Sequence, residues 1–209
     1  METVYKLTTV DNKTRPGHDN ETVWGEGVTH TVSGNGKLCS SAWLHAYHSP
    51  ELAALMDGVH GEYGPNAKLW KCRAIVGKDN GDKLGCTEIT TLAVVVLPTA
   101  TLNQKRAFAI MVALEVYSIW RSQDKNGAWL DWAKGWLNGE RSEEKRLRAF
   151  TAAFTSADAA FTDLEAAVDA AAYAVYADAA AASAAFTADK RINFVLIAQK
   201  AMARQWEAK

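Results

Sequence analysis

Apolar and polar positions alternate through much of the first hundred residues and then change to a helical spacing. Thr3 to Thr9 (TVYKLTT) is β-branched and alternating, which predicts a first strand. Asp11 to Asn20, with Pro16 and Gly17 in it, predicts an exposed loop. Trp24 to Val32 reads as a short second strand closed by Ser33-Gly34-Asn35-Gly36, and Lys37 to Tyr47 follows as a dense apolar and aromatic segment. Ser49-Pro50-Glu51 has the order of a helix start: a serine cap, proline in the first turn, and an acid beside the positive end of the helix dipole. That helix should run through Leu52, Leu55 and Met56 and stop near Gly58 or Gly61. Leu69 to Gly77 and Cys86 to Leu97 are the two clearest strands, separated by a Lys78 to Lys83 turn rich in Asp, Asn and Gly.

Pro98 marks the change. From Thr101 to Ser122 the apolar residues Leu102, Ala107, Phe108, Met111, Leu114 and Ile119 recur at three to five, the spacing of a helix that buries one face. Trp129, Trp132 and Trp136 repeat at i, i+3 and i+7 on a second helix ending at Asn138-Gly139, and they are expected in a core. Beyond Arg141 about half of the residues from Ala149 to Ala188 are alanine, and neither proline nor glycine interrupts them. The pattern allows one helix over about 141–207, with a break near Ser183 or Asp189 equally allowed. Its larger residues fall on a heptad seam through Leu147, Phe154, Phe161, Val168 and Val175, which predicts pairing with neighbouring helices or with a second copy. The expected fold class is α+β, with a mixed α/β domain at 1–98 and a helical region at 99–209.

Composition narrows the function. The chain has 209 residues and a formal net charge of −1, so no bulk field favours nucleic acid, and an anion site has to be local. Three cysteines, Cys39, Cys72 and Cys86, with no CxxC spacing and no apolar leader, predict reduced thiols in a cytosol. Acids punctuate the alanine-rich stretch, so no membrane span is expected.

Candidate chemistry concentrates at Leu44-His45-Ala46-Tyr47-His48-Ser49-Pro50, where two imidazoles, a phenol and a hydroxyl meet the start of a helix. His45 and His48 with Cys39 or Cys72 match no zinc spacing, so neither metal nor cofactor is expected. Lys71 and Arg73 flank Cys72 on a strand and should point to the face opposite it, as the cationic groups available to an anionic ligand. With Trp43, the candidate ligand-binding set is Trp43, His45, Tyr47, His48, Lys71 and Arg73. No phosphate loop, nucleophile elbow or dinucleotide fingerprint is present.

The runs VYKLTT, GNGKLCSSAWLHAYHSPELAALM, LWKCRAIVG and GCTEITTLAVVVLP, with an alanine-rich tail closing on INFVLIAQKAM, resemble an uncharacterised family of bacteriophage-encoded proteins over nearly the whole chain. The resemblance implies a phage accessory protein in the bacterial cytosol. The expected role is non-enzymatic: countering host defence by sequestering a nucleotide-like signal or by blocking a defence protein, with self-association through the alanine-rich helix. The order of parts in the first half is also distantly similar to ADP-ribosyltransferase domains. That likeness implies an NAD-using alternative in which Tyr47, Ser49 and Glu88 do the work, although Lys6 stands where those enzymes carry Arg or His. A virion structural or assembly protein, with the helical region as its working part, is the third expectation.

Overall fold

A computed structural model describes residues 1–57, 63–64, 66–121, 124–142, 144–145 and 192–205. The chain forms an α+β structure in two compact units, the first made of Met1–Thr101 with Asn193–Met202, the second of Leu102–Ile192 with Ala203–Lys209.

In the first unit, β1 (Glu2–Thr8), β4 (Thr29–Thr31), β5 (Leu44–Ala46), β6 (Lys68–Asp79) and β7 (Leu84–Val95) form one antiparallel sheet in the order β1-β6-β7-β4, with β5 also on β7. The Asn80–Lys83 turn makes β6 and β7 a hairpin, with Asn80 N–H donating to the carbonyl of Lys83 at 3.2 Å. Tyr47, one residue beyond β5, exchanges both backbone hydrogen bonds with Tyr5 of β1, at 2.8 and 2.9 Å. The ladder β1–β6–β7–β5 therefore returns to β1 and closes on itself. One face carries a buried cluster of Val4, Leu44, Ala46, Trp70, Cys72, Ala74, Leu84, Cys86 and Ile89.

Trp24 completes that cluster, and β2 (Lys13–Thr14) and β3 (Thr22–Val23) form the small arm that brings it there. Its indole N–H donates to Thr14 Oγ1 at 3.0 Å, just as that of Trp70 donates to Thr8 Oγ1 at 3.2 Å, so neither buried indole is left unpaired. The loop expected over Asp11–Asn20 thus contains a strand. The single strand expected from Trp24 to Val32 is reduced to Thr29–Thr31, because Gly27 turns the chain at a positive φ of 73°.

Helix α1 (Pro50–Met56) starts as its sequence predicts: Ser49 Oγ accepts from Leu52 N–H at 3.2 Å, with Pro50 in the first turn. It packs against β1 and buries Leu52, Leu55 and Met56. The last helix of the first unit, Phe194–Met202, packs on α1, burying Phe194, Ile197, Ala198 and Ala201. Asn193 Oδ1 accepts from Leu196 N–H at 3.0 Å and caps it, so Ile192 and Asn193 are not helical and an unbroken helix over 141–207 does not form. The expected helix across 146–191 lies outside the described residues.

In the second unit, α2 (Leu102–Glu115) and α3 (Tyr117–Trp120) divide the expected helix at Val116, where φ is −102° and ψ is 6°. A 3-10 turn at Lys125–Gly127 leads into α4 (Ala128–Leu137), whose Trp129, Trp132 and Trp136 are buried. Numbering the terminal helix in chain order makes Phe194–Met202 α5. Asp124 organises the start of α4: its carboxylate accepts from Trp129 N–H (2.9 Å), Leu130 N–H (3.1 Å) and the Tyr117 hydroxyl (2.8 Å). It satisfies two otherwise orphan amides and places a negative charge at the positive end of the helix dipole. Asp124→Ala should therefore lower stability by about 1–3 kcal/mol. Chemical denaturation of the full chain followed by tryptophan fluorescence measures this, and an unchanged midpoint would refute the role given to the carboxylate.

Candidate functional site

A cleft of about 700 Å³ opens in the first unit between β1, the β2–β3 arm, β5 and the turn before β7. Strand alternation explains one wall. Leu44 and Ala46 turn into the core and Trp43, His45 and Tyr47 share the other side of the β5 segment, and Trp43, Leu44, His45 and Tyr47 all border the cleft. Trp43 lies tight on the hairpin backbone: a Cβ at Gly77 would fall 2.6 Å from Trp43 Cζ3, and one at Gly85 3.0 Å from Trp43 Cε3. Only glycine at those two positions lets the indole sit there. Its N–H donates to the Gly36 carbonyl at 3.3 Å.

His45 Nε2 donates to the Leu38 carbonyl at 2.6 Å, the only proton assignment that a carbonyl partner permits. Burial lowers its pKa to about 4, opposed by the Leu38 bond and reinforced by Lys83, Lys6 and Arg15. The ring is neutral at neutral pH chiefly because it is buried, with the three cations adding to the effect. Burial likewise raises the Tyr47 hydroxyl well above its ordinary range, so it remains a phenol.

Lys6 is the unusual residue. It shares the inward face of β1 with Val4 and Thr8, is only 4% exposed, and yet lines the cleft. Its ammonium donates to the His45 carbonyl at 2.9 Å and lies 4.5 Å from the centre of the Trp24 ring. Behind it, burial pushes the Cys72 and Cys86 thiols up to about 12 each, so both are uncharged at neutral pH. Desolvation brings Lys6 itself down to about 8.

Two further cations line the same cleft. Arg15, in the left-handed region at φ 55°, donates to the Ser40 carbonyl at 3.4 Å. Lys83, also buried, donates to Cys39 Sγ at 3.1 Å. Among the described residues, neither these two nor Lys6 has a carboxylate partner. The single acid on the lining, Glu21, is engaged by Lys13 at 2.6 Å and by Gly17 N–H at 2.9 Å.

The chain matches no family model, no curated protein and no solved structure. The site is therefore read from its own geometry. Of the sequence-predicted residues, Trp43, His45 and Tyr47 converge on the cleft, while His48, Lys71 and Arg73 do not line it. His48 pairs with Asp79 at 3.1 Å, and Lys71 and Arg73 are exposed on the face of β6 opposite Cys72. Of Tyr47, Ser49 and Glu88, Tyr47 alone lines the cleft; Ser49 Oγ caps α1, and Glu88 pairs with Thr31 and Ile75 in the sheet. Among the described residues, no group of three or more His, Cys, Asp or Glu could hold a metal ion, and no helix is long and apolar enough to cross a membrane.

His45 gives a test of this electrostatic arrangement. Its folded pKa lies below the unfolded value, so protons bind the unfolded chain more tightly between pH 6.5 and about 4. His45 should lower stability as pH falls through that window, and its ring resonances should shift only near pH 4. A midpoint near 6.5 in an NMR titration would contradict the buried placement of the ring.

Proposed function

We propose that the first unit binds a small anionic, nucleotide-like ligand in this cleft and holds it without turning it over. The observation that carries this reading is the convergence of Lys6, Arg15 and Lys83 on one cleft without a carboxylate partner among the described residues. A buried cation without a counter-ion is costly to a fold, and an anionic ligand supplies the missing charge. Tyr47, Trp43 and Tyr63 add aromatic lining suited to a flat ring system.

The resemblance to phage-encoded proteins supplies the setting. In that reading the protein is a phage accessory factor in the bacterial cytosol that counters defence by withdrawing a nucleotide-like signal. The heptad pattern of its alanine-rich sequence suits pairing between copies, which would multiply the clefts.

Lys6→Met separates binding from folding. Replacing an uncompensated buried charge with an apolar chain of similar length should raise stability by about 1–3 kcal/mol. It should also weaken binding of nucleoside phosphates by roughly tenfold to a hundredfold, the value of one charge-assisted contact. Thermal denaturation and calorimetric titration of the full-length variant read the two effects. A less stable variant that binds as well as the parent would make Lys6 a structural residue and remove the proposal.

A further inference from the structure

We propose that the Lys6 side-chain amine forms a reversible imine with a small aldehyde that bears a phosphate or similar acidic group, held by Arg15 and Lys83. The inference rests on the anion-binding reading above and adds covalent chemistry to it.

The geometry around Lys6 is what a nucleophilic lysine needs. Its nitrogen reaches one acceptor, the His45 carbonyl, so two of its three N–H bonds have none among the described residues. No acid faces it from any element packed around it: β6 and β7 present Cys72 and Cys86, the β2–β3 arm presents Arg15 and Trp24, and β5 presents His45. Desolvation together with a neighbouring cation is the arrangement that makes lysine amines reactive toward carbonyl groups. With its pKa near 8, about a tenth of the Lys6 amine is unprotonated at pH 7.

The step needs no oxidant or reductant. The Lys6 nitrogen lone pair forms a bond to the carbonyl carbon, the C=O π pair moves to oxygen, and a proton passes from nitrogen to that oxygen. The carbinolamine then loses its hydroxyl together with the remaining nitrogen proton as water while C=N forms, so amine and aldehyde become imine and water. Arg15 and Lys83 do no bond-making; they hold the acidic group so that the carbonyl stays beside Lys6.

Pyridoxal 5′-phosphate, an aldehyde with a phosphate, is a suitable probe. The full-length protein is incubated with an equimolar amount, reduced with borohydride, and analysed by intact mass and peptide mapping. One adduct per chain is expected, at Lys6, diminished by inorganic phosphate and absent from Lys6→Met. Lys6→Arg keeps the cation and should retain phosphate binding while losing the adduct.

The two readings respond to pH in opposite directions. Phosphate affinity should fall as pH rises through about 8 and the ammonium is lost, whereas the rate of imine formation should rise. Label spread over other lysines without preference for Lys6, while phosphate still binds, overturns the imine and leaves the anion cleft standing. Labelling of Lys6 that phosphate does not oppose overturns the anion reading, and with it the ligand class proposed here.

Discussion

Two backbone hydrogen bonds between Tyr5 and Tyr47 decide the architecture of the first unit. Without them β1 would be an open edge of a sheet built on the β6–β7 hairpin, and β5 would be a short strand attached to β7 alone. With them the ladder closes, and closure fixes which side of every strand is interior. Leu44 and Ala46 then face the core, with Trp43, His45 and Tyr47 on the other side of the segment. The same closure brings the His45 carbonyl within 2.9 Å of the Lys6 nitrogen. Fold and site therefore depend on one contact, which joins residues far apart in the chain.

Closure also makes Lys6 expensive. Its pKa falls from 10.5 to about 8, so at neutral pH the buried ammonium costs the fold on the order of 3 kcal/mol relative to an exposed lysine. That loss of stability accumulates as pH falls from 10.5 to about 8 and stays constant below it. The His45 carbonyl and the Trp24 ring offset part of the desolvation, but the two thiols behind Lys6 are uncharged and do not. A methionine of similar length would fill the position without this penalty. Packing alone gives no reason for a cation at such a place, whereas the proposed anion binding does.

Local signals in the sequence carried much of the fold. The Ser49-Pro50-Glu51 helix start, the β6–β7 hairpin and the tryptophan spacing of α4 each depend on neighbours a few residues apart, and each is observed. The site was only half legible. His45 and Tyr47 stood out by residue type, and Lys71 and Arg73 were expected on the face of β6 opposite Cys72, where they are, but the cleft opens elsewhere. The alternation that buries Cys72 turns both of them to solvent. Lys6 did have a signal, since it falls in step with Val4 and Thr8, which are buried on the same face of β1. Arg15 and Lys83 had none: one follows a two-residue strand in a left-handed conformation, the other closes a turn, and both reach the cleft only through the tertiary fold. A break near Asp189 was among the allowed readings, and α5 does begin separately, capped by Asn193 and buried on α1 through Phe194 and Ile197.

Burial moves two polar groups of the β5 segment, His45 and Tyr47, away from acid–base work near neutral pH. A general acid or base works best with a pKa near the operating pH. His45 is displaced to about 4 and Tyr47 well above 10, so neither exchanges protons readily at pH 7, and Glu21 is engaged by Lys13 and Gly17. Lys6 is the lining group whose resolved pKa lies near neutrality. The cleft thus combines the side chains of Arg15 and Lys83, the neutral His45 ring and Tyr47 phenol, and one amine able to exist in both forms. Such a set attracts an anion electrostatically, and the Lys6 amine in it is able to add to a carbonyl.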